Sequence, residues 1–380
     1  MMEVVGIKDF SQKSSTKRRL DFEEMDSSPE KKANIKVSFP LNIDSTKILY
    51  YDPSKSNEFY DHWEFQIKHL DDLILLADFY KEGKLSRKKQ HNIPFFKISK
   101  LKDSIVRLKN MVGLEDLKKN LLSLIVFYLQ DLDDGNQDML HTVVYGGPGV
   151  GKTKFIHILS EIYANLGVLP ERKVTFAKRA DLIGQYLGQT AIKTRDLIEK
   201  SLGGILVIDE AYSLGDTEQR DSFSRECIDT LNQYLSESKK DLVCVIAGYK
   251  ADLEKRFFKT NPGLARRFPF KFTIPDYSAK HLKDIFISIV KENEWKIESN
   301  VINDKLIEAN RDNFQFNGGD MELLFTKVKF IHSMRVFSEE DSKKKIITKQ
   351  DFEEALEAFT DNEEMREQKY MKEYIKNLYI

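Results

Sequence analysis

The stretch that most limits what this chain can fold into is GGPGVGKT at residues 146–153, set between the strand-like TVVY of 142–145 and a helical run, KFIHILSEIYANLG, that ends at Gly167. It fits GxxxxGK[ST] at Gly146, Gly151, Lys152 and Thr153, with the strand before and the helix after that a phosphate-binding loop requires. Backbone without Cβ atoms at Gly146, Gly147, Gly149 and Gly151 can close around oxyanions, with Pro148 and Val150 completing the turn. The inward N–H groups then sit at the positive end of the following helix. In such a loop Lys152 reaches the β and γ phosphates and the Thr153 hydroxyl ligates Mg²⁺, so the expected cofactors are ATP and Mg²⁺.

A second stretch, ILVIDEAYSL at 205–214, places Asp209 and Glu210 at the tip of a buried strand some 50 residues further on. Two adjacent acids suit this chemistry: Asp209 holds Mg²⁺ through water, and Glu210 orients or deprotonates the attacking water. Further strand candidates lie at 174–176, 242–249 and 270–275, each separated from the next by a helical run. Continuous apolar strands alternating with helices predict an α/β fold, a parallel sheet covered on both faces, with ligand chemistry beyond the C-terminal strand ends. After Pro275 the alternation stops. Helical runs at 279–294, 301–312, 320–336 and 349–359 predict a small all-helical domain, with Ser278 and Thr348 as N-caps.

The 380 residues are 32% charged with a formal net charge of -1, which argues against a protein that mainly coats nucleic acid. Charge breaks the apolar runs well short of the ~20 residues that cross a membrane, and Glu3, Lys8 and Asp9 interrupt any signal-peptide core. Two cysteines, Cys227 and Cys244, exclude a disulfide framework and a four-cysteine zinc site, so the expected address is cytoplasmic or another reducing compartment. KRR at 17–19 could direct nuclear import, although the acidic DFEEMD that follows favours a solvated tail. Residues 1–34 lack an apolar period and read as a flexible tail. Residues 35–108 form a mixed or helical N-terminal region, in which Phe65, Ile67, Leu70, Leu73, Leu76 and Phe79 keep roughly helical spacing across a run from 57 to 83. Residues 109–276 make the nucleotide-binding domain, 277–360 the helical lid and 361–380 a charged C-terminal helix.

The stretches NMVGLEDLK, YGGPGVGKT, DLIGQYLGQTAIKT, GGILVIDEAYSL, VIAGY and NPGLARRF together resemble an AAA+ ATPase of the group containing the red-type Rubisco activase CbbX and stage V sporulation protein K. DMLHTVVYGGPGVGKT, DSFSRECIDTL and MELLFTKVKFIHS are further similar to members from large DNA viruses, which would place the chain in a host cell. The resemblance implies an ATPase that works as a homo-oligomer, a hexameric ring, on a protein client. It implies that Val112 and Gly113 line the adenine pocket and that Tyr186, Leu187 and Gly188 form a loop facing a central pore. It also implies that Arg266 or Arg267, with Arg267 preferred because it directly precedes Phe268, completes the site of the neighbouring subunit.

Two departures stand against this pattern. Tyr249 occupies the place where a polar sensor residue, often asparagine, follows the fourth strand. In FQFNGGDMELL the related activases carry an arginine where this chain has Gly319, leaving Asp320, Arg311 or no residue to take the lid's sensing role. The competing expectations are a nucleic-acid motor or loader, suggested by Lys193 and Arg195 after the pore loop, and an ATP-gated scaffold with little turnover.

Overall fold

The computed structural model describes residues 66–82, 92–133, 139–171, 173–186, 188–215, 221–237, 241–261 and 263–361, together with the backbone of short strands at Asp21–Phe22, Ile35–Lys36, Thr46–Leu49, Tyr60–Glu64 and Gln90–His91. The expected tail and C-terminal helix otherwise lie outside the described residues. Two compact units are present, one built from 1–109, 118–135 and 165–168, the other from 110–117, 136–164 and 169–380. Among the described residues no helix is long and apolar enough to cross a membrane.

In the smaller unit, helix α1 (Leu70–Lys81) starts later than the 57–83 run suggests, because Tyr60–Glu64 is a strand paired antiparallel with Thr46–Leu49 and parallel with Gln90–His91. The start is set locally. Asp72 accepts the backbone N–H groups of Lys68 (2.7 Å) and His69 (2.8 Å), and His69 is extended. Leu70, Leu73, Leu76 and Ala77 of α1 are buried, as are Ile98, Leu101, Ile105 and Leu108 of α2 (Phe95–Asn110), a helix the sequence reading does not single out. Ion pairs Lys109–Asp71 and Lys102–Asp78 tie the two helices. Helix α3 (Glu115–Leu129) follows.

In the larger unit, strands β1 (Thr142–Gly146), β2 (Val174–Ala177), β3 (Ile205–Ile208), β4 (Val243–Gly248) and β5 (Phe270–Ile274) form one parallel sheet in the order β5-β1-β4-β3-β2. These strands agree with the expected ones to within a residue or two. Helices α4 (Lys152–Leu166), α5 (Arg179–Leu182), α6 (Gln189–Ser201) and α7 (Ser222–Glu237) connect them. Every residue of β3 and β4 is buried, which explains their unbroken apolar character. Val143, Leu206, Ile208 and Ile246 pack with Ile198 of α6 and with Ile228, Leu231 and Leu235 of α7, and Phe155 of α4 meets Phe272 of β5 edge-on at 5.5 Å. Cys227 and Cys244 lie in this core as buried free thiols; burial lifts Cys227 to about 11 and pushes Cys244 up as well. Because the strands are parallel, the chain leaves β1, β3 and β4 at one edge, where the loop at 146–153, Asp209 and Tyr249 gather.

The lid that follows consists of α8 (Ala279–Glu292), α9 (Asp304–Ala309), α10 (Gly318–Arg335) and α11 (Lys349–Thr360), with Lys296–Ile297 paired to Ile346–Ile347. Helix α9 is shorter than the expected 301–312. Extended Asn303 caps it by accepting the Leu306 N–H at 2.8 Å, and Arg311–Asn313 forms a separate 3₁₀ turn. Ser278 caps α8, and at α11 Thr348 and Asp351 exchange bonds reciprocally, so the shorter aspartate completes the box here. Phe286 packs edge-on against Phe325 and Phe352.

Asp351 also holds the far end of α10. Arg335 donates two hydrogen bonds to it (2.8 Å each) and His332 Nδ1 lies 3.0 Å away. Burial alone would raise this carboxyl. The donors from Arg335, Thr348 and His332 overcome that and hold it well below the usual range. Its stabilising contribution is therefore complete above the ordinary carboxylate pKa and is lost as pH falls through the depressed value. Asp351→Ala should cost about 3 kcal/mol, since it strands a partly buried cation. Urea unfolding followed by Trp295, whose ring lies 5.0 Å from His332, checks this in a Trp63→Phe background.

Candidate nucleotide site

The loop leaves β1 at Gly146 and enters α4 at Lys152, so the first N–H groups of a 15-residue helix face its concavity. Gly149 (φ +67°) and Gly151 (φ +91°) take left-handed backbone there. Lys152 is buried and donates to the carbonyls of Gly146 (3.2 Å) and Gly147 (2.8 Å), which are neutral, while Glu210 offsets its charge at longer range. A buried ammonium resting on carbonyls, at a helix N-terminus in a glycine cradle, fits a polyanion such as ATP with its metal.

At the end of β3 the backbone N–H of Glu210 donates to Asp209 Oδ1 (2.9 Å), and Glu210 itself is left-handed (φ 52°), opening the 3₁₀ turn Ala211–Leu214. The Glu210 carboxyl is raised above its ordinary range by burial first, then by Asp209 and Asp252, with Lys152 opposing. A raised carboxylate is a stronger base once ionised. Tyr249, at the end of β4, stacks on Tyr212 (5.5 Å) with Lys152 Nζ 5.0 Å from its ring centroid. Burial and the neighbouring Glu210, Asp252 and Asp209 raise its hydroxyl.

These groups line one cavity of about 620 Å³. Residues 148–154 make its floor, so Pro148, Gly149, Val150, Gly151, Lys152 and Thr153 all meet there with Asp209, Glu210, Tyr249 and Val112. Gly146 and Gly147 lie just behind, holding Lys152. Gly113 does not line the cavity; it packs beneath the His281 ring, where a Cβ would be 3.2 Å away.

The lid side is lined by Tyr277, Ile285, Ser288 and Ile289, with Glu292 and Glu322 at the rim. None of these was expected, although Ile285 and Ile289 extend the i, i+3, i+4, i+7 apolar stripe of buried Leu282 and Phe286 along α8. Neither lid residue proposed for sensing reaches the cavity. Arg311 donates to the carbonyls of Tyr277 and Phe314, and Asp320 accepts the Phe316 N–H at 2.6 Å.

The remaining expected residues lie elsewhere. Arg266 is exposed and Arg267 half-buried in the turn Leu264–Arg267, and neither lines the cavity of its own chain. The buried Nε of Arg267 has no hydrogen-bond partner among the described residues. Tyr186 is 68% exposed in the turn before α6, and Gly188 (φ +82°) caps that helix, while Leu187 lies outside the described residues. The turn is pinned on both sides: Thr190 Oγ1 accepts the Gly184 N–H (3.0 Å), and Lys193 Nζ donates to the carbonyls of Ala180 and Ile183.

A parallel sheet in this order, with a phosphate loop after its first strand, acids after its third and a helical lid, defines a P-loop nucleoside triphosphatase of the AAA+ type. Residues 142–276 match the ATPase family associated with various cellular activities (AAA). The chain is 39% identical over 277 residues to the putative cfxQ-like protein R730 of Acanthamoeba polyphaga mimivirus, covering 72% of this chain and 68% of that one. It is 38% identical over 204 residues to stage V sporulation protein K of Bacillus subtilis, covering 52% and 62%. It is 33% identical over 227 residues to a CfxQ homolog of Galdieria sulphuraria, covering 57% and 74%. The chain belongs to the AAA+ ATPases, in the branch related to the CbxX/CfxQ proteins and stage V sporulation protein K.

Gly149 is the loop position with least freedom, since a Cβ there would lie 1.8 Å from the Phe316 carbonyl oxygen. Gly149→Ala should weaken binding of a fluorescent ATP analogue at least about tenfold, the equivalent of one lost hydrogen bond, in a titration of the purified chain.

Proposed function

We propose that this protein is a Mg²⁺-dependent ATPase that assembles into a hexameric ring and uses turnover to remodel or partly thread a protein client. The observation that carries the reading is the meeting of Lys152, Thr153, Asp209 and Glu210 in one cavity. Lys152 and the loop N–H groups bind the polyphosphate, and Thr153 and Asp209 hold the metal. Bound Mg·ATP supplies the phosphoanhydride whose hydrolysis releases the driving free energy. Glu210 accepts the proton of the attacking water at its carboxylate, a role its raised basicity supports. Tyr249 positions polar groups around that water.

Arg267 acts on a neighbouring subunit. That neither arginine lines the cavity of its own chain, with Arg266 exposed beside half-buried Arg267, supports a role completed by another chain. Tyr186 supplies sequence-tolerant apolar grip, and the pinning of its turn supports force transmission. A nucleic-acid client is disfavoured because the nearby cations are already engaged: Lys193 with two carbonyls, Arg195 with Asp196 and Glu199.

ATPase rate measured against protein concentration, with mass determined alongside, tests this directly. The rate per subunit should rise with assembly, vanish in Glu210→Gln with nucleotide still bound, and fall in Arg267→Ala by about 10³-fold or more. A rate per subunit that stays constant through dissociation would remove the shared site. Tyr186→Ala should retain nucleotide binding while losing remodelling of an added protein, whereas salt-sensitive stimulation by single-stranded DNA would favour the nucleic-acid motor. Assembly without turnover would indicate the ATP-gated scaffold.

A further inference from the structure

The backbone of Asn317, just ahead of α10, has φ 48° and ψ -115°. This lies outside the left-handed well that asparagine tolerates, in territory where glycine is at ease. Gly318 and Gly319 follow it, yet position 317 carries a side chain, and that side chain is 1% exposed. Its amide is fully engaged. Oδ1 accepts the Tyr277 N–H (3.1 Å) and an Arg311 N–H (3.4 Å), while Nδ2 donates to Asp276 Oδ1 (3.1 Å) and to the Pro148 carbonyl (3.4 Å).

Pro148 belongs to the phosphate loop, and its two successors are held in the same way. The Gly318 N–H donates to the Gly149 carbonyl (3.0 Å), and the Tyr277 hydroxyl donates to the Val150 carbonyl (2.9 Å). Three consecutive loop carbonyls are thus fixed from the lid side. In a trans peptide the N–H points opposite to the C=O. Holding the carbonyls of Pro148, Gly149 and Val150 outward therefore turns the N–H groups of Gly149, Val150 and Gly151 the other way, toward the cradle.

We propose that Asn317 is a positioning residue through which the lid keeps the phosphate loop's N–H groups aimed at bound nucleotide, making lid placement and nucleotide affinity a single coupled equilibrium. It rests on the nucleotide reading of the cavity. The lid reaches the phosphates through the shape of the loop, in place of the arginine absent at Gly319. The strain at Asn317 persists because the bonds of its amide over-determine it.

Asn317→Gly removes the amide and relieves the backbone. Titration with fluorescent ADP and ATP analogues should show affinity for both weakened about tenfold or more, the equivalent of one net hydrogen bond. Hydrogen exchange in a peptide spanning 146–154 should be faster in the nucleotide-free variant. Asn317→Asp keeps the acceptor toward Tyr277 and Arg311 but sets a carboxylate against Asp276 and the Pro148 carbonyl; relative to the wild type at the same pH, it should bind weakly at neutral pH and recover on acidification, as protonation restores a donor. Wild-type affinity and exchange in Asn317→Gly would overturn the proposal, even with an altered melting temperature, since a purely structural role predicts that pattern. Should Asn317→Gly not fold, Asn317→Asp decides: pH-dependent affinity supports the proposal, and wild-type affinity at every pH overturns it. A wild-type chain that bound neither nucleotide would overturn the nucleotide reading and this proposal with it.

Discussion

A loop that wraps an anion must point its N–H groups inward, so its carbonyls face the protein and need donors of their own. In this chain that requirement organises the larger unit. The glycines allow the curvature, and β5, running beside β1, delivers Asp276 and Tyr277 to the back of the loop. The lid turn at 316–319 approaches so closely that position 149 has no room for a side chain. The phosphate loop is therefore one face of a tertiary joint, with its outer surface as constrained as its inner one.

The electrostatics of the cavity follow from the same geometry. Lys152 is drawn down onto the carbonyls of Gly146 and Gly147, beneath the ring of Tyr249, and its positive field opposes the burial that raises Glu210. Asp209 engages the backbone of Glu210, which fixes the left-handed turn and separates the two acids' surroundings. A carboxyl raised by burial thus stands beside one that accepts a backbone donor, two different settings for side chains that differ by a single methylene.

Much of this was legible in the sequence because its signals are local. Unbroken apolar strands announced the parallel sheet, and the spacing of glycines, Lys152 and Thr153 announced the loop. Asp209 and Glu210 were found because a strand tip lies next to them in the chain. What escaped depends on distant partners. Ile285 and Ile289 face the cavity only once α8 folds back over the loop, and Asn317 acquires meaning from Pro148, 169 residues away. Gly113 was assigned to the cavity beside Val112, but its left-handed turn carries it under His281. The run from 57 to 83 is not one helix: Tyr60–Glu64 is a strand ahead of the first periodic residue, Phe65, and the Asp72 cap begins α1 only at Leu70.

The two buried cysteines carry an experimental consequence. Only a thiolate attacks an alkylating reagent, and both thiols are held protonated within the packed sheet domain. Labelling of the native protein must therefore await an opening that admits water to α7 or β4, and its rate counts those openings. Because β4 runs directly into Tyr249 at the cavity wall, a thiol clock placed by the fold itself can time how ligands quiet the centre of the sheet.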